Sequence, residues 1–197
     1  MFSLGKERKP MIYDVVVIGG GVLGLSVLRS SLLAGYTAVL LERNADLCDG
    51  ASGRNSGVIC TGADAAAGTL ERALIRDSAS RVRGFCGEHN VPARGCGSLV
   101  CLWPWDGGGE AGDAASDAAT DAARERLEGV LAESRGAGDS DAALLSPREV
   151  SELEPSLAGT CRGAVHIPGE VVVDPWLFPI ALAVSVFGYA CPSCKLP

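Results

Sequence analysis

Tyr13-Asp14-Val15-Val16-Val17-Ile18-Gly19-Gly20-Gly21-Val22-Leu23-Gly24, answered downstream by Glu42, is the stretch that decides the fold. An apolar run ends in three glycines, and an apolar-rich, helix-length segment follows as far as Gly35. A second apolar run, Thr37–Leu41, then ends in an acid. This order predicts a strand, a phosphate-binding turn, a helix and a second parallel strand carrying a ribose ligand. Each residue has a physical task. Gly19 permits the tight turn off the strand. Gly21 lacks a Cβ, so a pyrophosphate can approach the backbone. Gly24 lets the helix pack close to the sheet. The helix N-terminus offers free N–H groups and a positive dipole end to phosphate. Glu42 can accept hydrogen bonds from both hydroxyls of a ribose. A glycine-rich turn alone would be weak evidence, but here strand, helix and acid stand in the required order.

Outward from this unit, the strand Tyr13–Ile18 is apolar without alternation, the pattern of a central parallel strand buried on both faces. The helix spans Val22–Ala34, with Gly35 at its C′ position. A long loop rich in small polar residues follows, Asp49-Gly50-Ala51-Ser52-Gly53-Arg54-Asn55-Ser56-Gly57, and runs into the short apolar segment Val58-Ile59-Cys60. Long ordered loops in compact domains tend to carry function. A loop of this composition can also hold itself together through its own Asx and Ser hydrogen bonds. Thr69–Glu88 reads as an amphipathic helix with Leu70, Leu74, Val82 and Phe85 inward. Its Arg72, Arg76 and Arg83 are read as a solvated face in preference to an anion-attracting one.

Ser98–Leu102 reads as a strand closed by Trp103-Pro104-Trp105, whose rings are expected to pack on a sheet. Asp106–Thr120 is glycine, alanine and aspartate without a large apolar residue, and is expected to be a mobile insertion. Ala123, Leu127, Val130 and Leu131 mark one face of the helix that follows, and Gly136–Ala142 reads as a second soft stretch. Ser146-Pro147-Arg148-Glu149 has the N-cap, N1 proline and N3 acid of a helix start, stopping before Pro155. Gly163–Pro168 and Glu170–Val173 read as a strand pair around a turn, and Asp174-Pro175 opens a helix over Trp176–Val186.

Bulk properties narrow the function classes. The net charge of −7 argues against a nucleic-acid surface. No apolar run approaches the roughly 20 residues of a membrane span. The polar first ten residues show no secretory h-region; the compartment is unknown, with an intracellular location, cytoplasmic or mitochondrial, as the expectation. Eight cysteines are scattered, and with two distant histidines they give no metal-ligand spacing beyond Cys191-Pro192-Ser193-Cys194, read as accidental. No metal is expected.

Four blocks together resemble the glycine/D-amino-acid oxidase superfamily of FAD-dependent oxidoreductases, nearest its glycerol-3-phosphate and L-2-hydroxyglutarate dehydrogenases. They are Tyr13–Gly24 with Glu42, Gly50–Gly57, Arg94–Val100 and Leu144–Ala183. The resemblance implies an α/β fold: a Rossmann-like FAD-binding domain of the glutathione-reductase type with part of an interleaved α+β substrate domain. It divides the chain into a polar leader (1–10), an FAD-binding core and flavin loop (11–90), a partial substrate domain (91–183) interrupted at 106–120, and an unrelated tail (184–197). It implies FAD as cofactor, with Gly19, Gly20, Gly21 and Gly24 at the pyrophosphate and Glu42 at the ribose beside Arg43. Ser52, Arg54, Asn55, Ser56 and Gly57 would lie along the pyrophosphate and flavin. It implies oxidation of a secondary alcohol of a small anionic substrate, with electrons passed on to quinone or oxygen. An amino-acid oxidase of the same superfamily, an NAD(P)-binding reductase and a non-catalytic dinucleotide-binding fragment are the rival readings.

Two departures matter. In the hydroxyglutarate branch the segment after the loop runs into His-Ala-Gly, whereas here it is Cys60-Thr61-Gly62. The natural base for alcohol oxidation is missing, so no residue receives a catalytic label. The family's second half is also not recognisable, and the chain is expected to be a truncated product with weak FAD retention and no turnover.

Overall fold

The computed structural model describes residues 11–104, 106 and 117–186. It comprises two units, and the chain passes from the first to the second and back. Among the described residues the first holds 11–55 and 175–186, and the second lies within Ser56–Asp174.

The first unit contains strand β1 (Val15–Ile18), helix α1 (Val22–Leu33) and strand β2 (Ala38–Leu41). β1 and β2 pair in parallel, Val15 opposite Ala38 and Ile18 opposite Leu41. Asp14 fastens the start of this pair: its Oδ2 accepts from the Thr37 N–H at 2.8 Å and the Thr37 hydroxyl at 2.6 Å. These bonds hold the Asp14 carboxyl below its ordinary pKa. Ala34 is the C-cap of α1, and Gly35 follows at φ +87°, as its C′ position requires. Leu25 and Val17 are buried. The other face is not: Val16 and Ile18 are 56% and 86% exposed, and Leu41 is 53% exposed. This corrects the reading of β1 as a strand buried on both faces. Among the described residues it pairs only with β2. The apolar helix expected near the C-terminus is present as Leu177–Val184, with Trp176 at its N-cap; it packs on α1, where Arg29 Nε donates to Ser185 Oγ at 3.1 Å.

The second unit begins with β3 (Val58–Ile59), then α2 (Leu70–Glu88), β4 (Ala93–Arg94) and β5 (Ser98–Cys101). It continues with α3 (Asp117–Gly136), β6 (Ala143–Leu145), α4 (Pro147–Leu153), β7 (Ala164–Ile167) and β8 (Val171–Val173). Leu177–Val184 in the first unit is therefore α5. β7 runs between β5 and β6, antiparallel to both, and β8 runs between β3 and β4, also antiparallel. The expected hairpin of β7 with β8 is thus absent: the two strands are neighbours in sequence but belong to different sheets.

β7 is buried on both faces. Val165 and Ile167 join Leu102 and Leu127 in one cluster, with Val130 and Leu131 of α3 against it. Ala164 joins Val150 and Cys161 in a second, with Leu99, Cys101 and Leu145. The face read for α3 is therefore right at Leu127, Val130 and Leu131; the side chain of Ala123 lies outside the described residues. α3 starts at Asp117, so the last part of the expected insertion is helical, while 107–116 and Trp105 lie outside the described residues. Gly136–Ala142 is not soft: Ala137, Asp139 and Ala142 are buried. On α2 the inward residues are Arg72, Ala79 and Cys86, whereas Leu70 and Leu74 are exposed. α4 opens as its sequence demands. Ser146 Oγ accepts from the Glu149 N–H at 3.4 Å, and Glu149 Oε2 accepts from the Ser146 N–H at 2.8 Å.

Truncating Val165, fully buried at the centre of its sheet, removes two methyl groups and leaves a cavity. Val165→Ala is expected to cost about 2 kcal/mol. Val100→Ala, opposite it but 38% exposed, should cost less than half of that, as read from urea unfolding midpoints at constant slope.

Candidate functional site

The glycine turn between β1 and α1 is built around the Gly20 peptide. Its N–H donates to Glu42 Oε2 at 2.6 Å. Its carbonyl accepts from the Cys48 N–H at 3.1 Å and the Cys48 thiol at 3.4 Å. Burial, with the Glu42 charge nearby, pushes the Cys48 thiol up, so it stays protonated and can donate. Gly20 is buried so tightly that a Cβ there would stand 2.5 Å from Leu47 Cδ2. Gly19 takes φ +105°, a conformation suited to glycine. A Cβ on Gly24 would lie 1.9 Å from the Gly19 carbonyl oxygen, so only glycine lets α1 start this close to the strand.

Gly21 is the N-cap of α1 and has no side chain to satisfy the helix. Ser52, from the downstream loop, does so instead: its Oγ accepts from the Val22 N–H at 3.0 Å. The N–H groups of Gly21, Leu23 and Gly24 have no acceptor among the described residues. They stand at a cavity of about 470 Å³ lined by Gly19, Gly21, Gly24, Ser52 and Asn55 among others. Unpaired N–H groups at the head of a helix favour an anion.

Glu42 lies at the end of β2. Its Oε1 accepts from the Asn44 N–H at 2.8 Å, and this bond and the Gly20 bond hold its carboxyl below the ordinary value of 4.5. An ionised carboxylate has about four lone-pair sites, so capacity remains for a hydroxyl donor. Arg43 is exposed next to it.

The loop holds itself together. The short helical turn Ala51–Gly53 carries Ser52. Arg54 donates to the Asp49 carbonyl and pairs with Asp49 Oδ1 at 2.7 Å. Asn55 Nδ2 donates to the carbonyls of Ala51 and Ser52 at 3.1 and 2.9 Å. Gly53 is buried, and a Cβ there would meet the Trp176 ring at 2.9 Å. That contact escaped the sequence reading, because nothing local ties Gly53 to a tryptophan so far along the chain. The structure thus brings Gly19, Gly20, Gly21, Gly24, Glu42, Ser52 and Asn55 together, whereas the Arg54 side chain is engaged by Asp49. Ser56, exposed, and Gly57, buried at φ +68° with its carbonyl accepting from the Val173 N–H, open the second unit.

In that second unit, burial and the charges of Glu170 and Asp64 push the Cys60 thiol up. Cys60, which stands where the hydroxyglutarate branch has its His-Ala-Gly, is thus held in its neutral form. No group of three or more His, Cys, Asp or Glu among the described residues is placed to hold a metal ion. No helix among them is long and apolar enough to cross a membrane.

A parallel strand pair joined by a helix, with a glycine turn facing unpaired N–H groups and an acid on the second strand, defines a dinucleotide-binding fold of Rossmann type. Residues 14–186 match the family described as FAD dependent oxidoreductase, and the chain belongs to that family. It is 28% identical over 172 residues to glycerol 3-phosphate dehydrogenase of Caloramator mitchellensis, covering 87% of this chain and 32% of that protein. It is 29% identical over 164 residues to mitochondrial L-2-hydroxyglutarate dehydrogenase of Nematostella vectensis, covering 82% and 32%. Among solved structures, L-alpha-glycerophosphate oxidase of Mycoplasma pneumoniae with FAD bound superposes with a TM-score of 0.67 at 22% identity, over 90% of this chain and 43% of that one. The chain spans about a third of the length of the curated relatives it matches.

Two substitutions probe this geometry. Gly24→Ala places a methyl against the Gly19 carbonyl and is expected to cost about 3 kcal/mol, seen as early loss of the first unit in amide exchange. Glu42→Gln tests the carboxylate. A depressed folded pKa stabilises the protein above the unfolded value of 4.5, and that contribution disappears as pH falls through the folded value. The Gln variant should therefore lose less stability than the parent as pH falls below 4.5, as followed by thermal unfolding.

Proposed function

We propose that the cavity at the head of α1 takes the pyrophosphate of FAD. In this reading the whole protein oxidises a secondary alcohol of a small anionic substrate, a phosphorylated alcohol or a 2-hydroxy acid. The observation that carries the dinucleotide reading is the set of unpaired N–H groups of Gly21, Leu23 and Gly24 facing that cavity. Glu42 would take the ribose hydroxyls with its remaining lone pairs, and Gly20 would serve by fixing the Glu42 carboxylate. Ser52 would line the phosphate path while capping α1. Asn55 would stand at the cavity wall, and Arg43 at its exposed rim. Arg54 would act through the loop, by holding Asp49, and Ser56 and Gly57 would lead the chain toward the flavin. FAD, when bound, supplies the acceptor for a hydride. The second unit would contribute part of the substrate domain, and quinone or oxygen would receive the electrons.

The Cys60 thiol, held neutral, is no proton acceptor, so the base lies elsewhere and the hydroxyglutarate reading loses a support. The relatives named for glycerol 3-phosphate and for 2-hydroxyglutarate support the substrate class. We further propose that these residues alone hold FAD weakly and turn nothing over, because Val16, Ile18 and Leu41 leave an apolar sheet face exposed.

Flavin fluorescence titration of the 197-residue chain tests this. We expect saturable quenching by FAD at micromolar or weaker affinity, reduced about tenfold in Glu42→Ala. NAD should give no thermal protection at the same concentrations. Thermal protection by NAD with none by FAD would transfer the site to a nicotinamide cofactor. Bleaching of bound flavin by glycerol 3-phosphate or a 2-hydroxy acid would overturn the expectation of inactivity.

A further inference from the structure

The second unit contains a cavity of about 260 Å³ that shares no lining residue with the dinucleotide cradle. Arg76 and Arg83, two turns apart on α2, line it together with Thr61, Gly138, Asp139 and Gly169. We propose that it is a binding site for the carboxylate group of a small organic anion, with Arg76 as the principal ligand.

Four observations carry this. First, Arg76 has no carboxylate partner among the described residues, whereas its neighbours on α2 do: Arg72 pairs with Glu133 at 2.5 Å and Arg81 with Asp77 at 2.9 Å. Second, the guanidinium lies against the bare backbone of Gly138. Gly138 takes φ +105°, and a Cβ there would stand 2.7 Å from Arg76 Nη2. Third, the walls are rigid. Asp139 is buried and its Oδ2 accepts from the Gly169 N–H at 3.0 Å, while Arg83 Nη1 donates to the Gly169 carbonyl at 3.1 Å. Fourth, Thr61 Oγ1 is a buried side-chain atom with no hydrogen-bond partner. A buried hydroxyl without a partner costs stability, and a χ1 rotation that turns it toward the cavity would let a bound ligand recover what the fold forgoes.

Charge selects the ligand. Two guanidinium groups face one carboxylate, leaving one positive charge in excess. A monoanion neutralises it, whereas a phosphate dianion would leave net negative charge beside Asp139. The planar fork of an unpaired arginine suits a carboxylate in bidentate fashion.

The test is an NMR titration of the full chain, labelled at arginine Nε, with sodium acetate at constant ionic strength. The Arg76 Nε–H resonance should shift saturably, while that of Arg148, ion-paired to Glu152 on α4, should shift linearly. Arg76→Gln should abolish the saturable response at the Arg83 resonance. Thr61→Val should weaken acetate binding about fivefold with a melting temperature no lower than the parent's, a combination that a merely structural threonine would not give. A linear Arg76 response overturns the proposal, as does unchanged affinity in both variants. Saturation by inorganic phosphate at lower concentration than acetate overturns the carboxylate assignment. None of these readings depends on flavin binding or turnover.

Discussion

The first unit depends on the Gly20 peptide being satisfied on both sides. Its N–H goes to Glu42 and its carbonyl to Cys48, so one peptide ties the glycine turn to the end of β2 and to the loop beyond it. The same loop then returns Ser52 to the first turn of α1. This closes a ring in which the helix head is held by residues distant in sequence and not by its own cap. A polar side chain at Gly21 would have supplied a cap in the ordinary way, but a Cβ there would stand 2.9 Å from Ser52 Oγ. The turn keeps its backbone bare, and three N–H groups remain available beside the cavity.

That arrangement was largely legible in the sequence because its determinants are local. The strand–turn–helix order, Gly19 at a positive φ, Gly35 at the helix end and the Ser146–Glu149 capping box all follow from residues within one or two turns of each other. What was not legible depends on distant partners. β7 and β8 look like a hairpin because a proline and a glycine separate two apolar runs. In fact β4 and β5 run alongside them in the opposite direction, as one bent ribbon. Between the paired segments, the three residues Gly95–Gly97 face the four residues Pro168–Val171, a bulge of one. Gly97 makes the bend possible. It has φ +67°, its N–H donates to the Glu170 carbonyl at 3.1 Å, and a Cβ there would crowd His166 and Ile167. Periodicity detects the strands but cannot say that the ribbon changes sheet at this point.

The apolar pattern of β1 raises the opposite problem. Its sequence specifies a strand covered on both faces, and the first unit covers one. Val16 and Ile18 share their face with Val39 and Leu41 through the β1–β2 register. The composition of a parallel strand is set by the sheet in which it works, so the residues report a demand for burial that α1 and α5 do not meet. The expectation of a buried strand was therefore a sound reading of the side chains, and an incorrect one of their surroundings in this chain.

α2 shows why charge on a helix cannot be assigned from spacing. Spacing alone places Arg72, Arg76 and Arg83 on a solvated face. Arg72 is instead buried, its guanidinium donating to the carbonyls of Ala63 and Ala65 and pairing with Glu133 of α3. Those carbonyls lie in the turn that leads into the helix, so the acceptors are created by the fold and are invisible in the sequence as residue types. One helical turn further on, Arg76 faces a backbone bend at Gly138 and no carboxylate partner. The same side chain, repeated along one helix, thus serves in one place as a strut between α2 and α3 and in another as an unpaired charge at a cavity. The difference lies in the carbonyls and carboxylates the tertiary structure brings within reach. A burial penalty is tolerable for Arg72 because its Nε and Nη2 donors find two carbonyls and a carboxylate, whereas Arg76 stays solvated and retains its capacity for a partner.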